Sequence, residues 1–377
     1  MRRARAAFLV TSIVVVLLFA GALTASRVGR EDLFQALGNL AEVVHLVRTE
    51  YVDELNPDAL ALSLDAGLVE SIDRSAAVLP GDQVERYLKL LEAPPPFGVG
   101  LASRLGSAAV RHTVAGSPAE TAGLAVGELI ELIDGVNTRG RPLWQIRLEL
   151  WQAEQDKRAV KLSVVDRRVD ERREVILEPA SWDGRVIDVR EVDGCSVVTL
   201  GTLARGTAAA VATKIGGGSQ VVLDVREVVW GFAEEAVSLA DLFAKQGVLA
   251  QWRGRRAGEG VFEATDSGDE LSSGLFVLIG GNTEGPGEVL AAALQRNGAT
   301  LVGQRTVGYA PSMRMVNDGD LYLWMPVASW LRGDGEPISG KGIEPDEKVE
   351  GLAEGEVDPV LERALELIHS TAVKEAA

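Results

Sequence analysis

The stretch from Leu275 to Met313, LFVLIGGNTEGPGEVLAAALQRNGATLVGQRTVGYAPSM, constrains the fold more than any other part of the chain. It reads as strand, tight turn, helix, strand and loop. Leu275–Ile279 is a continuous apolar run, the pattern of a parallel strand covered on both faces. Gly280, Gly281, Asn282, Gly285 and Gly287 then predict a turn, and Pro286 stands where the first turn of a helix tolerates proline. Val289, Leu290, Ala293 and Leu294 recur on one helical face. Gly298 closes that helix, and Thr300–Val302 opens the next strand. A nucleophile belongs at such a turn, at the carboxyl end of a strand and with helix N–H groups poised to hold an oxyanion. The turn offers only Thr283, Glu284 and glycines.

This stretch resembles the core of the carboxy-terminal processing (tail-specific) proteases, peptidase family S41. Members show a strand, then S-A-S-A-S-E opening a helix, then V-G-E-x-T-F-G-K. Their serine lies three residues before the glutamate, and their general-base lysine lies six after the V-G-E glycine. A glutamine often follows four residues later. With Glu288 as the glutamate and Gly303 as the glycine, these positions hold Gly285, Tyr309 and Met313. A one-residue shift of the loop would bring Ala310 to the lysine position. Either way the resemblance implies an S41 frame without intact catalytic residues. The implied fold is an α/β protease core of the ClpP/crotonase-like S41 type, with a PDZ domain and an N-terminal helical segment.

The chain order fits that frame. Arg2, Arg3 and Arg5 precede an apolar run over residues 6–25, long enough to cross a bilayer at about 1.5 Å per residue. Residues 1–27 therefore predict a membrane anchor or signal sequence, the remainder lying on the exported side of the inner membrane, in the periplasm or its equivalent. An uncleaved anchor is favoured by the length of the run, while Ala20-Gly21-Ala22 fits a cleavage site. Residues 28–95 read as a helical segment, with a stripe at Leu33, Phe34, Leu37, Leu40, Val43, Val44 and Val47. Tyr51-Val52-Asp53 and Ser71-Ile72-Asp73 resemble the family's entry segment, to which no chemistry is assigned. Ala93-Pro94-Pro95-Pro96 is a stiff linker.

Residues 96–178 resemble a PDZ domain through Gly116-Ser117-Pro118-Ala119-Glu120-Thr121-Ala122-Gly123-Leu124, Val126-Gly127-Glu128-Leu129-Ile130 and Ile133-Asp134-Gly135. Phe97, Gly98, Val99, Gly100 and Leu101 resemble its carboxylate-binding loop and are the expected peptide-binding residues. Glycines there would let backbone N–H groups converge on a peptide terminus. Trp144, Ile146, Leu148 and Leu150 are assigned to this domain's helix.

Residues 179–350 alternate strand and helix signals, the mark of an α/β core. Leu223-Asp224-Val225-Arg226 and Ala240-Asp241-Leu242-Phe243 match the family. Val228-Val229-Trp230-Gly231 replaces its N-P-G-G oxyanion turn, so Trp230 is expected to fill space there. Ser339-Gly340-Lys341-Gly342-Ile343-Glu344-Pro345-Asp346 resembles a structural G-K-G-I-E-P-D turn. Residues 351–377 read as a C-terminal helix opened by Asp358-Pro359.

A net charge of −17 argues against nucleic-acid partners. The single cysteine, Cys195, excludes a disulfide within one chain, and His45, His112 and His369 stand outside any partner motif and read as structural. No metal or cofactor is implied, since Gly216-Gly217-Gly218 lacks a P-loop lysine. The expected function is that of an exported pseudoprotease binding protein C-terminal tails or unfolded polypeptide. Pairing with an active protease relative is a second expectation. The alternative is an active serine-type endopeptidase with displaced residues, Ser312 or Thr283 serving as nucleophile and Lys341 as base. Glu284 is expected to set a negative charge against any oxyanion.

Overall fold

A computed structural model describes residues 35–375 except 36–37, 53–54, 168, 170, 183, 185–186, 216–219, 266–273, 320 and 351–357. The apolar run at 6–25 and most of the Leu33–Leu37 stripe lie outside them. No helix among the described residues is long and apolar enough to cross a membrane. Contacts divide the chain between Leu62 and Ser63. In the first part, residues 38–50 form helix α1, whose Leu40, Val43 and Leu46 are exposed.

Helix α2 spans Pro57–Ile72, and strand β1 (Ala77–Pro80) and helix α3 (Val84–Glu92) follow. Next come β2 (Val99–Arg104), β3 (Ser107–Thr113), the short α4 (Pro118–Thr121), β4 (Leu129–Ile133), β5 (Val136–Asn137), α5 (Leu143–Gln155), β6 (Val160–Asp166) and β7 (Glu171–Leu177). The strands form one sheet ordered β2-β3-β4-β6-β7, with β5 on β4, so β2 is an edge. Ser117 caps α4 by accepting from the Glu120 N–H.

Helix α5 shows how packing overrides pattern. Its buried residues Trp144, Ile146, Leu148 and Leu150 alternate as they would in a strand. The helix is instead covered on two sides. Ile146, Leu150 and Ala153 enter the core of the β2–β7 sheet. Trp144 and Leu148 pack with Leu79, Tyr87 and Leu90, against Trp324 of a strand described below. A helix buried on two faces loses the single apolar stripe that identifies an amphipathic one.

The third region comprises β8 (Ile187–Val192), β9 (Cys195–Leu200), α6 (Thr207–Lys214), β10 (Gln220–Asp224), α7 (Ala233–Asp241), β11 (Val248–Gly254), β12 (Gly258–Glu263), β13 (Phe276–Ile279), α8 (Pro286–Arg296), β14 (Thr300–Gly303), β15 (Pro311–Asp318), β16 (Leu321–Arg332), β17 (Glu347–Lys348) and α9 (Pro359–Glu375). One sheet runs β17-β14-β13-β10-β9-β8, parallel except for β8. Its side chains alternate between faces, as the period of a strand requires. Val198, Leu223, Val277 and Leu301 pack with α6, α7 and α8. Cys195, Val197, Val222, Leu278 and Val302 pack against α9. Cys195 is thus a buried core thiol, and burial pushes its pKa up. A second sheet, β1-β16-β11-β12 with β15 on β16, stands beside this core and carries one wall of the site.

Candidate active site

The turn between β13 and α8 places Gly285 at the N-cap of α8, with φ 57° and ψ −114°. Among ordinary residues only glycine adopts these angles readily. At this point the chain presents no hydroxyl.

The donors expected at the helix start are also spent. The Gly285 N–H donates to the Tyr309 carbonyl at 3.1 Å and to Glu288 Oε2 at 3.2 Å. Pro286 has no N–H at all. The Gly287 N–H donates to the Glu284 carbonyl at 3.0 Å, and the Glu288 N–H to the Gly285 carbonyl at 3.1 Å. In the sequence Pro286 reads as a tolerated first-turn residue. Its larger effect is to delete a donor where an oxyanion would need one.

Glu288 is fully buried and serves as the hub of the frame. Its carboxylate accepts from Thr306 Oγ1, from the Gly308 N–H at 2.6 Å and from the Tyr309 N–H at 2.8 Å, besides Gly285. The loop it holds is braced from behind by the Ser339–Asp346 turn. The Gly340 N–H donates to the Gly308 carbonyl at 2.8 Å, and the Ile343 N–H to Thr306 Oγ1 at 2.8 Å. This turn is structural, and Lys341 points elsewhere: its ammonium pairs with Glu336 at 2.7 Å and is largely exposed.

Tyr309 therefore faces Gly285 across the turn. Its hydroxyl donates to Asp73 Oδ1 at 2.7 Å, and the Arg74 guanidinium lies 3.9 Å above its ring centroid. Burial, reinforced by Asp73, pushes the phenol up to about 12. A neutral phenol tied to a carboxylate is no substitute for a free amine base.

Glu284, next to Gly285, is buried and takes part in an ion cluster. Arg74 reaches its Oε2 at 2.9 Å, and Arg111 of β3 meets the same oxygen. The expected uncompensated negative charge beside an oxyanion is thus corrected, because two guanidinium groups oppose it. Burial, then the neighbouring Arg74, lowers Arg111 to about 10. The segment before residue 95, expected to carry no chemistry, supplies Asp73, Arg74 and Ser75 to this region. Asp73 closes the Ser71-Ile72-Asp73 motif, to which no chemistry is assigned, and no motif marks Arg74, Ser75 or Arg111. They are single charged or polar positions whose convergence depends on contacts across most of the chain.

The displaced-residue alternative finds little material. Thr283 is buried, and its hydroxyl donates to the Val225 carbonyl at 3.1 Å and accepts from the Gly280 N–H at 3.0 Å. Ser312 lines the cleft beside Gly285, but Lys341 does not.

That cleft measures about 1020 Å³ and is lined by Gly285, Pro286, Trp230, Met313, Trp324 and Trp330, among others. Trp230 does not take the strained turn angles. Gly231 does, with φ 141°, and a Cβ there would lie 2.4 Å from the Leu203 carbonyl oxygen. Trp230 instead stands edge-on to Phe232 at 5.9 Å and forms part of the cleft wall.

The loop from Phe97 to Leu101 is not the open carboxylate cradle that the glycine pattern predicts. The Phe97 N–H donates to Glu154 Oε1 at 3.1 Å, and the Gly98 N–H to the Pro95 carbonyl at 2.7 Å. The Val99 N–H donates to the Pro96 carbonyl. Glu154 Oε1 also accepts from Trp182 Nε1 at 3.1 Å. The Phe97, Gly98 and Val99 donors are thus taken by α5 and by the Pro95 and Pro96 carbonyls. Gly100 and Leu101 pair in β2 with β3. His112 packs its ring on Gly100, where a Cβ would collide with it. Burial, helped by Arg111 and Arg147, lowers His112 to about 3, so it is neutral.

Comparison with known proteins fits this geometry. Residues 197–349 match peptidase family S41. The core of this chain is an S41 peptidase domain. The chain is similar to a probable CtpA-like serine protease of Staphylococcus aureus (strain N315), 23% identical over 323 residues, covering 82% of this chain and 64% of that protein. It is similar to a protein of the same description from Staphylococcus haemolyticus (strain JCSC1435), 23% identical over 363 residues, covering 91% of this chain and 72% of that one. The chain thus spans about 64% of the length of the first of these relatives. Among solved structures it resembles the photosystem II D1 C-terminal processing protease, with a TM-score of 0.61 and 18% identity, covering 81% of this chain and 86% of that chain. That likeness supports the S41 fold around a turn that carries Gly285.

Proposed function

We propose that this chain is a non-cleaving S41 protein of the cell envelope that holds a polypeptide segment, a protein tail or unfolded chain, in its aromatic cleft. The observation that carries this reading is Gly285. The residue at the nucleophile position has no hydroxyl, and the residue opposite it, Tyr309, is pledged to Asp73. Serine–lysine chemistry needs a hydroxyl within reach of a neutral amine, and neither group is there. The helix start supplies no free donor for an oxyanion, so a substitute nucleophile would lack transition-state support as well. What the cleft retains is apolar and aromatic surface beside a bent backbone, which suits binding.

In the same reading residues 96–178 form a PDZ module, supported by the G-S-P-A-x-x-A-G-L pattern and by an edge strand, β2, that can accept an added strand. The apolar run at 6–25 anchors the chain, leaving the S41 domain on the exported side. An active protease relative is a further candidate partner.

The test is proteolysis by the purified full chain on an unfolded protein with an apolar tail, run beside a binding assay on the same tail. Binding without cleavage is expected. Cleavage by the parent that Ser312→Ala abolishes would overturn the reading and identify a rewired peptidase.

A further inference from the structure

Three basic side chains line the cleft: Lys89, Arg147 and Arg205. Two of them are matched. Lys89 pairs with Glu85 at 2.7 Å, and Arg205 pairs with Glu92 at 2.9 Å and lies over the Phe232 ring. Arg147 differs. It comes from α5 and is half-buried, and no carboxylate among the described residues lies within ion-pair distance of it. Its neighbours on the helix, Trp144 and Leu148, are buried in the cluster that contains Tyr87 and Leu90. A guanidinium in such surroundings is partly stripped of water and attracts an anion more strongly than one on an open surface.

Three carboxylates also line the cleft: Glu85 and Glu92 are taken by Lys89 and Arg205, and Glu234 acts on Arg205 and makes no ion pair with Arg147. Glu284 is already shared by Arg74 and Arg111, and His112 is neutral. Arg147 is therefore the basic side chain of this lining that makes no ion pair among the described residues. The planar fork of an arginine fits a carboxylate through two parallel hydrogen bonds. The loop that might otherwise read a peptide terminus has its Phe97, Gly98 and Val99 donors occupied, one of them by the Glu154 carboxylate.

We propose that Arg147 reads the free α-carboxylate of a bound peptide, so that a chain end is recognised inside the S41 cleft and not at the Phe97–Leu101 loop. The ligand class is a peptide with a free terminal carboxylate preceded by apolar side chains that pack on Trp230 and Trp324. This rests on the peptide-holding reading above and adds to it the residue that selects a chain end.

The experiment is a fluorescence-anisotropy titration of the full chain with one labelled apolar peptide, made as the C-terminal acid and as the C-terminal amide. The acid is expected to bind roughly ten-fold more tightly, the size of one charge-assisted contact. Arg147→Ala should remove that difference by weakening the acid alone, and Arg147→Lys should keep part of it. Equal binding of acid and amide by the parent overturns the assignment while leaving the peptide-holding reading intact. So does a preference that survives in Arg147→Ala. Glu154→Ala frees the Phe97 N–H, and the acid preference of that variant should still fall when Arg147→Ala is added; a preference carried by the loop alone in the double variant and equally strong in the parent would overturn the assignment too. Failure of both peptides to bind the parent overturns both readings at once.

Discussion

The Tyr309 hydroxyl donates to Asp73 Oδ1 at 2.7 Å across a separation of 236 residues. The bond ties the loop after β14 to the segment that precedes β1. Asp73 also accepts from the Ser75 N–H at 2.8 Å, so loss of the phenol leaves it one partner. Tyr309→Phe should therefore cost only about 1 kcal/mol, the net worth of an ordinary hydrogen bond. Urea denaturation measures it. The same phenol titrates late, near 12, because burial and then Asp73 oppose its ionisation. A raised folded value means that its contribution is complete below the ordinary tyrosine range and is lost as the pH climbs through about 12. Spectroscopic titration should show this late tyrosinate in the parent, and its amplitude should fall in Tyr309→Phe.

Gly285→Ala should destabilise the protein by about 1 kcal/mol or somewhat more. The cost is conformational: with φ at 57°, a side chain is strained, although the nearest atom to an added Cβ, the Tyr309 carbonyl oxygen, is 3.8 Å away. Thermal unfolding of Gly285→Ala and Gly285→Ser should show similar losses. Gly285→Ser should remain inactive against unfolded protein, since Tyr309 and Pro286 still deny it a base and a donor.

Much of the fold was legible, and the reason is physical. Strands such as Val221–Leu223 and Leu275–Ile279 lie between two helical layers, so continuous apolar runs are forced on them. The place of Gly285 at the start of α8 was legible too, because a turn flanked by a strand and a helix fixes where it must sit. The partners of that site were not. Arg74 and Arg111 carry no spacing signature, Asp73 stands in a motif that says nothing of its partner, and their meeting at Glu284 and Tyr309 exists only after β3 and the chain before β1 have docked on the S41 domain. The glycines of the Phe97–Leu101 loop were visible, but the Glu154 carboxylate that occupies it was not. Helix α5 hid its two buried faces behind a strand-like alternation.

Glu284→Gln removes the one carboxylate shared by Arg74 and Arg111 and leaves two guanidinium groups side by side. Breaking a buried pair leaves an uncompensated charge. Here both arginines keep some contact with water, their side chains being 48% and 28% exposed. The expected loss is accordingly about 2 kcal/mol, below the full cost of orphaning a deeply buried ion. Added salt should recover part of it by screening the repulsion. Denaturant midpoints at low and high salt test this, and a salt-independent loss would assign the effect to packing.

Arg226 follows β10, the strand paired in parallel with β13, and lies beside the Gly280–Gly285 turn. It meets Asp224 at 2.6 Å and Asp358 at 2.7 Å, joining the carboxyl end of β10 to the residue that caps α9. The Leu361 N–H donates to Asp358 Oδ1 at 3.2 Å, so one carboxylate serves both the ion pair and the cap. Burial alone would push Asp358 up, but the hydrogen bonds and charge of Arg226 outweigh it and hold the carboxyl below its ordinary value. A depressed folded value contributes stability above the ordinary aspartate range, and that contribution is lost as the pH falls through the folded value. The parent should therefore lose stability on acidification into and below the usual carboxylate range. Arg226→Gln leaves Asp224 and Asp358 facing one another without their shared cation, at a cost of about 3 kcal/mol near neutral pH. In acid the Asp358 carboxyl takes up a proton and the repulsion disappears. The stability gap between parent and variant should then narrow steadily as the pH falls, and chemical denaturation across the acid range should show it. A gap that stays constant with pH would mean that Arg226 acts through its packing and not through its charge.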